Sequence, residues 1–132
     1  MKKIATIFLA GICLAATAQP LRTPHSALRT SEAVRAIIGE AAGEPFQTKL
    51  AIAGALRNRG TLDGVRGRRN ARMIDAQPAW VWRDARRAWA ESATNDISRG
   101  GTFFESINFP APAWAAGMRV TATVGKFRFY KL

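Results

Sequence analysis

The 132-residue chain has one cysteine, one histidine, and 9 acidic residues against 20 lysines and arginines. Each shortage excludes a chemistry. The cysteine, Cys13, falls in an N-terminal segment expected to be removed, so the rest of the chain has neither a thiol nucleophile nor a disulfide, even in an oxidising compartment. The histidine, His25, stands in a polar stretch with Pro20 and Pro24. A Ser-His-Asp triad and a histidine-based zinc site therefore lack their parts, which argues against a zinc amidase acting on wall peptides. No glycine-rich phosphate loop is present, and no repeat or low-complexity segment appears. No metal or cofactor is expected. What remains for catalysis is carboxylate chemistry, with Glu40, Glu44 and Glu105 as candidates.

The N-terminus reads as an address. Lys2 and Lys3 precede an uncharged run at 4–18, and Ala16-Thr17-Ala18 fits a small-x-small cleavage pattern. That run is shorter than the roughly 20 residues a membrane-spanning helix needs. The reading is a signal peptide at 1–18, a flexible tether at 19–30 and one catalytic domain at 31–132, exported to the periplasm or beyond. Losing Lys2 and Lys3 lowers the formal charge from +11 to +9, because all nine acidic residues lie downstream. A basic surface draws an anionic partner. For an exported protein that partner is cell-wall polymer, with peripheral membrane contact as a second option, rather than nucleic acid. A monomer is expected.

The stretch Ile38-Gly39-Glu40-Ala41-Ala42-Gly43-Glu44-Pro45 carries the sharpest signal. Val34, Ile37, Ile38 and Ala41 recur at i, i+3, i+4 and i+7, one apolar face of a helix at 32–42. Ser31 is placed to cap it, Gly43 to end it in the left-handed conformation, and Pro45 to begin the next helix. A glutamate therefore stands where two helices meet, at the edge of the core. A carboxylate beside Ile37 and Ile38 is partly desolvated, and burial favours the protonated acid that glycosidic cleavage needs. A glutamate that merely ends an amphipathic helix would show the same pattern.

Further along, 45–59 predicts a second helix with Phe46, Leu50, Ala53 and Leu56 at helical spacing. Its small residues, Gly54 among them, would let another helix approach closely. It closes on Arg57-Asn58-Arg59-Gly60, an ordinary C-terminus in which Asn58 and Arg59 are also substrate-binding candidates. Residues 61–76, with Arg66, Arg68, Arg69 and Arg72, read as a solvated loop or as a patch contacting wall or membrane. A third helix is predicted at 77–93, with Trp89 in the core. Trp80 and Trp82 point elsewhere and are candidate sugar-stacking platforms, although core roles fit them as well. Residues 102–108 are β-prone and carry Glu105. Pro110 and Pro112 interrupt the chain. Met118, Val120, Ala122 and Val124 then alternate with polar residues as a half-buried strand, which Gly125-Lys126 turns into a returning strand with Phe127 and Phe129.

These residues together resemble the SleB-like cell wall hydrolases, which include the spore cortex-lytic enzymes. The likeness rests on the 38–45 stretch, on Leu50-Ala51-Ile52-Ala53 and Arg57-Asn58-Arg59, on Pro78-Ala79-Trp80-Val81-Trp82, on 101–108 and on Phe129-Tyr130-Lys131-Leu132. The resemblance implies a lysozyme-like, mainly helical α+β domain with a small C-terminal β segment that cuts peptidoglycan glycan strands, with Glu40 as the catalytic acid. It makes Phe103 and Tyr130 substrate-binding candidates. Many relatives carry a histidine within the segment matching 102–105, where this chain has Phe103, so any task of that imidazole goes without it here. Glu105 is the better second carboxylate for a hydrolase. Glu44 precedes Pro45 and sits where a carboxylate stabilises a helix start in any case. Hydrolytic and anhydro products both remain open at this point. The competing class is a non-catalytic, basic peptidoglycan-binding module that keeps the arginines and tryptophans and does not depend on Glu40.

Overall fold

A computed structural model describes residues 28–132; the expected signal peptide, nearly all of the tether, Cys13 and His25 lie outside the described residues. The element order is helix α1 (Thr30–Ala41), helix α2 (Phe46–Arg59), a 3-10 turn (Gly67–Arg69), helix α3 (Ala71–Asp75), helix α4 (Ala79–Glu91), strand β1 (Phe103–Ser106), a second 3-10 turn (Ala113–Ala115), strand β2 (Arg119–Val124) and strand β3 (Phe127–Lys131). This is the mainly helical α+β class with a small C-terminal β segment that the resemblance implied.

The central element is α2. Every residue from Thr48 to Leu56 is buried, so the helix is enclosed on all sides. Its alanines and Gly54 permit this, because short side chains let neighbours approach the backbone from several directions. On one side lie α1, which buries Val34, Ile37, Ile38 and Ala41 as its spacing predicted, and α4, which contributes Val81, Ala85, Ala88 and Trp89. On another lies the sheet, antiparallel throughout in the order β1-β3-β2. Phe127 and Phe129 project from it into the same core. Gly54 accommodates not a helix but Asp96, whose Oδ1 lies 2.5 Å from where a Cβ would stand.

Several local expectations are corrected. Ser31 lies inside α1; the N-cap is Arg29, with no side-chain hydrogen bond to the helix. Gly43 does not take the left-handed conformation, which belongs instead to Gly60 (φ 74°) at the end of α2. Pro45 is the N-cap of α2 rather than its first helical residue, and Pro78 caps α4 in the same way. Segment 61–76 is more than a solvated loop. Leu62, Val65 and Ile74 are buried, and the segment holds both a 3-10 turn and α3.

The alternation read for β2 fails at one point. Val120, expected to face inward, is 48% exposed. The pairing with β3 shifts between Val120 and Ala122, a bulge that adds one residue and turns Val120 onto the outer face with Tyr130. The extra residue, Thr121, donates its hydroxyl to Ser98 O at 2.7 Å. Ala122 and Val124 regain the inner face.

Candidate active site

Glu40 stands in the last turn of α1, half-buried at the edge of the core. The residue that meets it was not legible in the sequence. The Gly67 N–H donates to Glu40 Oε1 at 2.7 Å. The backbones of Gly39 and Gly67 touch to make this possible. A Cβ on Gly39 would lie 2.3 Å from Gly67 C and O, and a Cβ on Gly67 would lie 2.3 Å from Gly39 C. Two glycines far apart in sequence thus form one interlock that presses the strap, residues 61–75, onto α1. Oε2 of Glu40 has no hydrogen-bond partner among the described residues. Neither Glu44 nor Glu105 hydrogen-bonds to Glu40.

Arg59 connects the strap to the sheet. Its guanidinium donates to Asp63 O and lies 4.7 Å from the Phe103 ring centre. Phe103 and Glu105 of β1 pair with Tyr130 and Arg128 of β3, so all four side chains share the outer face of the sheet. The Tyr130 hydroxyl donates to Glu105 Oε1, and Arg128 Nη1 donates to the Tyr130 oxygen at 3.4 Å. Trp114, in the second 3-10 turn, closes over this corner, with its ring centroid 5.5 Å from Tyr130 and 5.8 Å from Phe103. Tyr130 is therefore buried although it points away from the core. That burial, reinforced by the hydrogen bond to Glu105, pushes its hydroxyl pKa above the ordinary value. Arg59, Phe103, Glu105 and Tyr130 are thus brought together, and Trp114, 45% exposed, joins them. The sequence carried no signal for Trp114, which follows two prolines in a segment without periodicity.

The other candidates are placed elsewhere. Asn58 is a clamp: its amide nitrogen lies 2.8 Å from Asp96 Oδ2, 3.3 Å from Ser98 Oγ and 3.1 Å from Gly101 O. Asp96 also accepts from the backbone N–H of Ser98 and Gly100. Burial alone would raise the Asp96 pKa, but hydrogen bonds from the Ser98 hydroxyl at 2.5 Å, from Asn58 and from these two amides hold it below the ordinary carboxylate value.

Trp80, 48% exposed, stands 5.7 Å from the ammonium of Lys49, and Lys49 donates to the backbone oxygen of Glu44. Lys49 is fully buried in α2, a position hidden in the sequence because no face of that helix is exposed enough to reveal it. Burial lowers its pKa, while the charges of Asp84 and Glu44 oppose that shift.

Trp82 lies between Arg35 and Arg86, whose guanidinium carbons are 5.8 and 5.5 Å from its ring centre. It lines an open depression of about 440 Å³ with Gln77, Ala79 and Arg86, which contains none of the candidate carboxylates. Among the described residues no group of three or more histidine, cysteine, aspartate or glutamate side chains could hold a metal ion. No described helix is long and apolar enough to cross a membrane.

Neither a family model nor a curated protein matches the sequence. Solved structures do match the fold. The catalytic domain of the Bacillus cereus SleB protein is similar with a TM-score of 0.60 at 21% identity, over 86% of this chain and 100% of that one. The catalytic domain of the germination-specific lytic transglycosylase SleB from Bacillus anthracis is similar with a TM-score of 0.58 at 20% identity, over 77% of this chain and 93% of that one. The interlocked helices, the strap and the antiparallel C-terminal sheet therefore build the fold of the SleB catalytic domains.

Proposed function

We propose that the protein is an exported peptidoglycan-degrading enzyme of lytic transglycosylase type, with Glu40 as its one acid and base. The observation that carries this reading is the asymmetry of Glu40: Oε1 is fixed by the Gly67 N–H, while Oε2 has no partner among the described residues. A carboxyl group oriented through one oxygen can present the other to a substrate. In the proposed reaction Glu40 gives its proton to the glycosidic oxygen between N-acetylmuramic acid and N-acetylglucosamine. The C1–O bond breaks through an oxocarbenium-like state. The resulting carboxylate then takes the proton of the muramic C6 hydroxyl, whose oxygen attacks C1 and closes an anhydro ring.

The hydrolytic variant needs a second carboxylate free to activate water. Glu105 accepts from the Tyr130 hydroxyl and pairs across the strands with Arg128, which fits a binding role better. Glu44, whose backbone oxygen anchors Lys49, fits a structural one. Arg59, Phe103 and Trp114 supply an aromatic and cationic wall suited to sugar rings, with Tyr130 buried behind it rather than facing a substrate as expected. The SleB-like fold supports the same class of activity.

The test is mass spectrometry of fragments released from purified sacculi. Wild type is expected to yield anhydro-muramic ends. Glu40→Gln, which keeps the acceptor for Gly67 but has no acid proton, is expected to lower release by about 10² to 10⁴-fold while sacculus binding persists. Undiminished release by Glu40→Gln would remove Glu40 as the acid and favour the non-catalytic wall-binding reading.

A further inference from the structure

The arginines of the strap have no task inside the fold. Arg66, Arg68, Arg69 and Arg72 are all exposed. The ion pairs of the described residues involve Arg35, Arg83 and Arg87, and none of these four. No acidic residue occurs between Asp63 and Asp75, and Asp75 is taken by Arg35 at 2.7 Å. Yet the strap is a firm support. Leu62, Val65 and Ile74 anchor it in buried positions, and Gly67 locks it to α1. Gly67, flanked directly by Arg66 and Arg68, is also the residue that holds Glu40. Two of these exposed arginines are therefore chain neighbours of the residue that holds the proposed acid, on a backbone fixed by buried anchors.

We propose that these four arginines bind the carboxylates of the stem peptides carried by the glycan strand, so that the enzyme selects strands whose stems are charged. The inference rests on the reading of Glu40 as the group that cleaves glycan, and it adds what the neighbouring surface recognises. In a stem-bearing strand the lactyl carboxyl of the muramic ring is tied up as an amide, so the sugars themselves are uncharged and the stems carry the anionic groups that a cluster of cations can bind. The stem peptide begins at the lactyl ether on C3 of the muramic ring, the same ring whose C1 carries the bond to be broken. The stem therefore starts beside the reacting ring and carries its carboxylates outward from it. Guanidinium is the side chain best suited to them, because its fork donates two parallel hydrogen bonds to one carboxylate. Firm attachment of the strap to α1 lets binding of the stem register the sugar against Glu40 without a separate ordering cost.

The test separates binding from cleavage. Uncross-linked glycan strands with their stems, and the same strands after chemical conversion of the stem carboxylates to primary amides, are titrated by calorimetry into the full chain carrying Glu40→Gln. The expected result is about tenfold tighter binding of the strands with free stem carboxylates. That ratio is expected to fall towards one when Arg66→Gln, Arg68→Gln, Arg69→Gln and Arg72→Gln are combined, and also as salt is raised. Equal binding of the two strands before the arginines are changed would overturn the proposal. So would an unchanged ratio in the combined variant, or an equal loss of affinity for both strands. A combined variant that keeps the ratio but no longer adsorbs to phosphatidylglycerol vesicles would assign the arginines to a lipid surface and overturn it as well. None of these outcomes depends on whether Glu40 is the acid, which the product analysis decides separately.

Discussion

Arg57, Asn58 and Arg59 show how much work three adjacent residues can do. Successive helical residues point about 100° apart, and each of the three reaches a different part of the fold. Arg57 lies 3.8 Å over the Trp89 ring and donates to Trp89 O and Ser92 Oγ, fastening α2 to the end of α4. Asn58 holds the 96–101 loop, and Arg59 bridges the strap and β1. Lys49 is the other residue whose meaning comes from its surroundings. Its pKa is lowered chiefly by burial, so the folded chain binds its proton less tightly than the unfolded chain does. Between the depressed folded value and the ordinary value of 10.5 the unfolded state holds more protons, and stability rises with pH across that window. Urea melts taken through the alkaline range below the ordinary tyrosine value should show the midpoint climbing. Lys49→Met should flatten the climb, and a slope unchanged by that substitution would exclude Lys49 as its source. Above the ordinary tyrosine value of 10.0 the trend should turn downward, because Tyr130, with its raised pKa, resists the ionisation that the unfolded chain undergoes.

At the level of elements, the contact between α1 and the strap decides whether Glu40 is held. Gly39 and Gly67 leave no space for a methyl group on either side. Gly39→Ala should displace the first 3-10 turn at a cost of about 1–3 kcal/mol, typical of overpacking, and break the hydrogen bond from Gly67 to Glu40. Helical circular dichroism should survive, because α1 and α2 keep their buried faces. Hydrogen exchange at the Gly67 amide should quicken, and fragment release should fall. Unchanged protection of that amide would show that the interlock does not hold the turn. The bulge in β2 illustrates the complementary point. An extra residue there reverses the facing of Val120 while Ala122 and Val124 stay inward, so strict alternation describes only part of the strand.

For the whole molecule, the scarcity of histidine and cysteine constrains the chemistry. A zinc site built on cysteine and histidine needs ligands that the chain downstream of Cys13 does not have, since its single histidine, His25, stands alone in the segment expected to be a tether. Fragment release is therefore expected to be unaffected by EDTA. Loss of release in EDTA, restored by added zinc, would overturn the carboxylate mechanism. The surplus of positive charge has a different consequence. Surface arginines without acidic partners weaken folding slightly through self-repulsion, and they remain available for an anionic polymer.

The sequence by itself determined the helices of the core and the class of the fold. The apolar spacing in α1, the Phe127–Phe129 alternation and the core position of Trp89 follow from periodicity, which depends only on neighbours along the chain. It also singled out Glu40 by placing a carboxylate at the end of a buried face. The tertiary structure alone decided what surrounds that carboxylate. Gly67 lies 27 residues from Glu40, and its role depends on two backbones meeting at glycine. Trp114, Phe103, Tyr130 and Glu105 form one corner only because β1 pairs with β3 and the second 3-10 turn folds over them. The burial of Lys49 likewise arises from enclosure of α2 on every side. The period of a helix specifies which face is buried, but packing between distant segments decides which groups meet there.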